Sequence, residues 1–266
     1  MARLDIEIVN RCLAKSRALA QSYIESDDVM VNNVIVNKAS KNINESDEII
    51  IKNKLKYVSR GGLKLEAALN EWLPFLWKGL GIGKDFICLD IGSSTGGFTD
   101  CLLQHGATHV TAVDVGSDQL DHTLRNDERI KLYENTDIRK FYPHPLPQGE
   151  GGMDYKFNLI TIDVSFISLT KIIPYLSAFC FDKEKNIIDQ EYKKDKHITK
   201  VVALIKPQFE IGKGNSLSDN VYEEVIENIK KCFVENGFAY IGHIDSPITG
   251  GDGNREFLMC VSFSPL

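Results

Sequence analysis

The chain has 266 residues, 43% hydrophobic and 26% charged, with a formal net charge of −6. This length holds one large domain, or a small one joined to a medium one, and the composition is that of a globular chain rather than a disordered polyelectrolyte. No apolar run approaches the roughly 18 residues of a membrane span, and the charged, amphipathic start lacks the apolar stretch of a secretory signal, so a cytoplasmic protein is expected. Six cysteines without a Cys-x-x-Cys spacing predict neither a disulfide framework nor a structural zinc site, and no metal is assigned.

Charge is unevenly spread. Residues 1–64 hold 11 Lys and Arg against 8 Asp and Glu, leaving the remainder acidic, so the N-terminal segment is the expected contact for a polyanion. Asp5–Leu19 reads as a helix with Ile6, Val9, Leu13 and Ala18 on one face and Arg11, Lys15 and Arg17 on another. Ser16 is placed to cap a second helix, 17–24. Strands at 29–31 and 34–36 flank an Asn-Asn turn, and a third follows at 48–51. The unit closes near Lys56, giving a small α+β domain over 1–56. Residues 57–62 (YVSRGG) read as a connection to a larger domain, 63–266.

From Phe86 strands and helices alternate, as a doubly wound, mostly parallel α/β sheet requires. Seven strands are expected at 86–90, 109–113, 130–133, 158–163, 200–205, 239–244 and 257–263. Helices are expected near 63–73, 97–104, 117–124, 169–180 and 220–236. The Pro- and Gly-rich segment 142–153 and the charged segment 182–199 break this rhythm and read as surface insertions.

The stretch LDIGSSTGGFTD, 89–100, carries the clearest chemistry. An apolar strand ends in Asp90 and runs into a turn containing Gly92, Ser94, Gly96 and Gly97, after which Phe98 resumes at helical spacing. The glycines are expected to let backbone pass close to a ligand. Asp114 ends the next strand, where a carboxylate accepts hydrogen bonds from ribose hydroxyls, and Asp137 is the candidate for the adenine side. The spacing is Gly-x-x-x-Gly-Gly, not the Gly-x-Gly-x-x-Gly of dinucleotide binders, so S-adenosylmethionine fits better than NAD. Asp163 and Lys206 end two further strands and should face the same crevice. Lys64 opens the first large-domain helix, and Glu256 begins the last strand. Each alone reads as a solvated charge, but an ionisable group between an apolar strand and an apolar loop needs a partner or a task.

Seven motifs in order, RLDIEIVNRCLAKSRALA, YVSRGGLKLEAAL, LDIGSSTGGFTDCLLQHGA, VDVGSDQL, DVSFISL, LIKPQFEIGKG and GNREFL, resemble the TlyA-type (haemolysin A family) ribosomal RNA 2'-O-methyltransferases. That family is similar in turn to the wider FtsJ/RrmJ superfamily. The resemblance implies a Rossmann-like class I methyltransferase domain with Lys64, Asp163, Lys206 and Glu256 as a catalytic tetrad. It also implies that 1–56 is an S-four-type RNA-binding domain, with Arg3, Arg11, Lys15, Ser16, Arg17 and the connecting Arg60 as RNA contacts. The implied reaction is S-adenosylmethionine-dependent methylation of a cytidine 2'-hydroxyl, the partners being ribosomal RNA or ribosomal subunits and no membrane. The chain ends soon after its last expected strand, without the extension of longer members, so large-subunit (23S) RNA is expected ahead of small-subunit (16S) RNA. Asn and Asp occupy N-terminal turns where the family usually has glycine, which predicts the same fold with a less basic surface. Three other readings are weaker. A catalytically weak assembly factor sits poorly with four filled tetrad positions, a cytolysin needs an export route and a membrane-active element, and an NAD enzyme needs other glycine spacing.

Overall fold

A computed structural model describes residues 2–14, 16–53, 56–76, 86–141, 157–180, 198–211, 218–250 and 253–264. Lys15 and nearly all of the two expected insertions lie outside these residues.

The N-terminal unit packs α1 (Leu4–Asn10) and α2 (Arg17–Glu25) against short antiparallel strands. β1 (Ala2–Arg3) pairs with β4 (Asn42–Ile43), while β2 (Val29–Val31) lies between β3 (Val34–Ile35) and β5 (Ile49–Ile51). Its core gathers Leu4, Ile8, Tyr23, Ile24, Val29 and Ile43. The single helix expected over 5–19 is broken. α1 stops at Asn10, Cys12 takes a left-handed φ of 57°, and α2 starts afresh under the Ser16 cap, whose hydroxyl oxygen accepts from Leu19 N at 3.2 Å. The break turns the helix face as well: Leu4 and Ile8 are buried, and Ile6 is exposed.

The large domain is built on a seven-stranded sheet in the order β11-β12-β10-β9-β6-β7-β8. Its strands are β6 (Ile87–Ile91), β7 (His109–Val113), β8 (Ile130–Tyr133), β9 (Leu159–Ile162), β10 (Lys200–Ile205), β11 (Phe238–Asp245) and β12 (Phe257–Phe263). β12 alone runs opposite to the other six strands, and each of the seven falls where the apolar runs predict. α3 (Gly61–Leu76) and α4 (Gly97–Gln104) help cover one face, and α7 (Asp219–Glu235) packs against the other. Two expected helices shrink. The 117–124 element is only α5 (His122–Arg125), and 169–180 forms 3-10 turns at 169–171 and 173–179, where Pro174 lacks the N–H that an α-helix would use. A four-residue helix, α6 (Pro207–Glu210), follows β10.

Residues 57–62 are built into the large domain. Tyr57 and Val58 are buried in the core around α3 and α4, and Val58 N donates to Asp100 Oδ2 at 2.9 Å. Among the described residues no helix is long and apolar enough to cross a membrane.

Candidate active site

The strand order reverses about β6, which has β7 on one side and β9 on the other. Loops leaving the carboxyl ends of β6 and β9 therefore diverge and open a crevice, the usual ligand position in a doubly wound sheet. A cavity of about 340 Å³ lies there, within the range of small-molecule sites.

The same topology gathers the four predicted ionisable residues. Asp163 follows β9 and Lys206 follows the adjacent parallel β10. β12 runs the other way, so Phe257 pairs with Ile205 and brings Glu256, at the start of β12, beside the end of β10. α3 supplies Lys64 from above. Two ion pairs result: Lys64 Nζ lies 2.6 Å from Glu256 Oε2, and Lys206 Nζ lies 2.6 Å from Asp163 Oδ1. Lys206 also donates to Ser165 Oγ at 3.0 Å. Lys64 and Glu256 are buried, and Lys64 and Asp163 line the crevice.

Of the cofactor candidates, Gly92, Ser94, Gly97 and Phe98 line this cavity. The space left by the missing side chains is filled by protein, against the expectation of close ligand approach. A Cβ on Gly92 would stand 2.3 Å from Asp163 O, and one on Gly97 2.2 Å from Ser59 Oγ, while Gly96 faces Leu120 and Leu124. The turn is thus clamped to β9 and α3, and its ligand-facing groups are backbone and hydroxyls. Asp114 holds the turn through Oδ2, which accepts from Ser94 N at 2.8 Å, while Oδ1 accepts from Gly116 N of its own loop at 2.7 Å. A carboxylate has about four acceptor sites, so capacity for ribose hydroxyls remains.

Asp90 and Asp137 are both engaged within the protein. Asp90 is fully buried and accepts from Thr99 Oγ1 at 2.6 Å and Thr161 Oγ1 at 3.0 Å, tying β6 to α4 and β9 beneath the turn without reaching the crevice. Asp137 caps a 3-10 turn and pairs with Arg139, Nη2 to Oδ2 at 2.6 Å.

The N-terminal candidates divide similarly. Asp5, fully buried, is the hub: Arg3 Nε approaches it at 3.0 Å, Arg17 Nε at 2.8 Å and Gln21 Nε2 at 3.0 Å. Hydrogen bonds from Arg3, ahead of burial in the opposite sense, hold its carboxyl well below the usual range. Arg3 and Arg17 remain about half exposed, at 43% and 54%. Arg11 is turned inward instead, bonded to Glu7 Oε1 at 2.7 Å and to the carbonyls of Asp47 and Asn44. Ser16 is occupied as the α2 cap. Arg60 lines the crevice and an adjoining groove and makes no side-chain hydrogen bond or ion pair among the described residues.

Three features escape the sequence. Gln21, Ser22 and Glu25 of α2 form one wall of the crevice, so both domains enclose it. Ser93 has a buried hydroxyl with no partner among the described residues, and it lies on the same wall as the Gly-rich turn. Phe166 is 91% exposed, holds a left-handed φ of 66° and packs its ring against Phe209 at 5.1 Å. Beyond that one contact, packing does not account for a large aromatic left this exposed in strained backbone three residues after Asp163. The apolar run after Asp163 in DVSFISL is the one signal of it in the sequence.

The comparisons agree with this geometry. A family model described as FtsJ-like methyltransferase matches residues 57–263, and one described as S4 domain matches 2–49. The chain is 33% identical to the Mycobacterium tuberculosis 16S/23S rRNA (cytidine-2'-O)-methyltransferase TlyA, over 97% of this chain and 88% of that one. It is 34% identical to the Campylobacter jejuni 23S rRNA (cytidine-2'-O)-methyltransferase TlyA, over 94% and 95%. A solved structure from Streptococcus thermophilus, labelled a hemolysin, is 37% identical with a TM-score of 0.67 over 99% of this chain and 89% of that one. The chain therefore belongs to the family of FtsJ-like methyltransferases that carry an N-terminal S4 domain, the family of TlyA.

Proposed function

We propose that this protein transfers a methyl group from S-adenosylmethionine to the 2'-oxygen of a cytidine in ribosomal RNA, with the large-subunit (23S) RNA as substrate. The observation that carries this reading is the convergence of the Lys206–Asp163 and Lys64–Glu256 pairs beside the Gly-rich turn. The 23S RNA is the substrate common to the names of both TlyA relatives.

The crevice fits such a cofactor. Ser93 offers an unpartnered buried hydroxyl, Asp114 suits ribose hydroxyls, and Gly92, Ser94 and Gly97 supply the adjoining wall. When bound there, S-adenosylmethionine supplies an electrophilic methyl group whose C–S bonding electrons stay with sulfur. The chain's own residues act on the nucleophile. An ammonium at Lys206 has three donors; one goes to Ser165 Oγ and the charge faces Asp163 Oδ1 at 2.6 Å, which leaves a donor for the ribose 2'-oxygen as it gains its new C–O bond. The hydroxyl proton passes to the Asp163 carboxylate beside Lys206 as the new bond forms. Lys64, neutralised by Glu256, fixes the opposite wall and orients the ribose. Phe166 presents a face on which an unstacked base can lie, and such stacking is worth about 1–3 kcal/mol per base. Arg3, Arg17 and Arg60 are the proposed phosphate contacts.

The deciding experiment offers labelled S-adenosylmethionine with isolated large subunits, isolated small subunits or short RNA, followed by mapping of the 2'-O-methyl group. Large subunits are expected to be labelled at one cytidine. Lys206→Ala should reduce transfer at least ~10²-fold while cofactor affinity by calorimetry changes little. Labelling confined to small subunits, or equal labelling of unstructured RNA, would overturn the substrate. Collapse of cofactor binding in Lys206→Ala with transfer retained would remove Lys206 from the chemistry.

A further inference from the structure

We propose that Glu210 is a positioning residue that locks the loops bearing Asp163 and Lys206 into one catalytic unit, an inference that rests on the methyl-transfer reading above. The two loops leave neighbouring parallel strands and could move independently. The sheet holds the first loop as far as Asp163, whose N donates to Ile91 O at 2.9 Å, and β10 ends at Ile205. Glu210 closes α6, the four-residue helix directly after Lys206. Its carboxylate reaches across to the other loop, where Oε2 accepts from Ser168 Oγ at 2.5 Å and Oε1 accepts from Leu169 N at 2.9 Å.

These two bonds close a ring of contacts. Starting from the strands, the loops are joined first by Lys206 to Asp163 and Ser165, then by Phe209 against Phe166, and last by Glu210 to Ser168 and Leu169. The third link sits where it is most needed. α6 is too short to fix Lys206 through its own ladder, whose bonds include Phe209 N to Lys206 O at 2.9 Å and Ile211 N to Pro207 O at 3.1 Å. The facing loop holds Phe166 in left-handed backbone, a conformation that persists only when its surroundings enforce it. With one acceptor oxygen for each donor, Glu210 anchors the far end of that loop, and the buried Leu169 makes the anchor point rigid. Burial pushes the Glu210 carboxyl up from its ordinary range, against the pull of the Leu169 amide and the Ser168 hydroxyl; a partly desolvated carboxylate bonded at both oxygens is a stiff strut. Glu210 is distinct from the groups assigned to the reacting atoms, so its effect is exerted through Lys206, Ser165 and Phe166.

The test uses the full chain with Glu210→Ala and Glu210→Gln. Gln retains an oxygen to accept from Leu169 N and an amide to donate to Ser168 Oγ, so it should keep most activity. In Glu210→Ala, kcat on large subunits should fall by about 10- to 100-fold, the range expected from a misplacement of about an ångström. Cofactor affinity by calorimetry should stay within about twofold, since the Gly-rich turn is untouched. Amide exchange over 164–169 should accelerate in Glu210→Ala alone, with β6 unchanged, a readout independent of catalysis. Activity of Glu210→Ala within about twofold of wild type, loss of cofactor affinity in step with kcat, or unchanged exchange over 164–169 would each overturn the clamp. If wild type itself transfers no methyl group, the functional reading fails, while the exchange measurement still decides whether Glu210 holds the loops.

Discussion

Asp90 shows how a single residue can be legible in type and misplaced in role. A carboxylate ending an apolar strand before a Gly-rich turn is the natural cofactor candidate, yet Thr99 and Thr161, nine and 71 positions away, draw it inward. Burial pushes its carboxyl up to about 7; the two threonine hydroxyls oppose the shift, and Asp163 and Asp114 reinforce it. A folded-state value above the unfolded one of about 4 means that the native protein holds the proton more tightly. Its contribution to stability is therefore greatest below about pH 4 and declines as pH rises towards about 7, with no further change above. Asp90→Asn removes the titration while keeping amide groups for both hydroxyls. Urea denaturation at pH 5 and pH 8 should show the variant gaining on wild type by about 2–3 kcal/mol between the two, the equivalent of about two pKa units. Parallel stability curves would mean that Asp90 ionises freely in the fold. The meeting of Lys64, Asp163, Lys206 and Glu256 was readable because each sits at a strand end or helix start, where topology dictates convergence. Glu210 and Phe166 were not, since their meaning depends on a loop-to-loop contact that no periodicity encodes.

At the scale of elements, apolar runs marked β6, β7, β9, β10 and β12 most clearly, because strands buried on both faces are continuous apolar segments, whereas the edge strands β8 and β11 are partly exposed and mix in polar residues. Helix limits were less readable. The sequence could not reveal that Arg11 would bond the carbonyls of the 44–47 loop as α1 ended, or that Pro174 would hold its segment in 3-10 turns. The turn after β6 offers the sharpest test of an element's construction. Gly92 has a φ of +83° and no room for a Cβ, whereas Gly106, after α4, has a φ of +93° and nothing within 4 Å of the added atom. Gly106→Ala should cost only the left-handed backbone penalty, about 1–2 kcal/mol. Gly92→Ala must in addition displace the Asp163 carbonyl, so it should cost at least about 1 kcal/mol more and also weaken S-adenosylmethionine binding. Denaturation and calorimetry on both variants separate the terms; equal stabilities with intact binding would show that the turn is not clamped to β9.

For the whole molecule, the question is how two domains divide one substrate. The basic N-terminal face read from sequence is thinner in the structure: Arg11 faces inward, Arg3 and Arg17 share the charge of Asp5, and Arg60 stands beside the crevice without a partner among the described residues. α2 also walls the crevice through Gln21 and Ser22, and the Ser16 side chain sits beside the Asp121 carboxylate of the large domain. Recognition should therefore lean on shape and on the crevice more than on a broad phosphate-binding surface. That division has a measurable signature, because each neutralised phosphate releases counterions and steepens the salt dependence of binding. With Arg3, Arg17 and Arg60 as the phosphate contacts, the slope of log K against log salt for large subunits should be about −2 to −3. Filter binding across a salt series reads it directly. Arg60→Ala should lower the magnitude of the slope by about one and weaken binding uniformly across RNA sequences. A wild-type slope steeper than about −5 would require roughly six phosphate contacts, more than these three arginines supply, and would show that RNA is held by a basic surface other than the one assigned. A slope unchanged by Arg60→Ala would place that arginine off the RNA path and leave the crevice mouth without its proposed phosphate anchor.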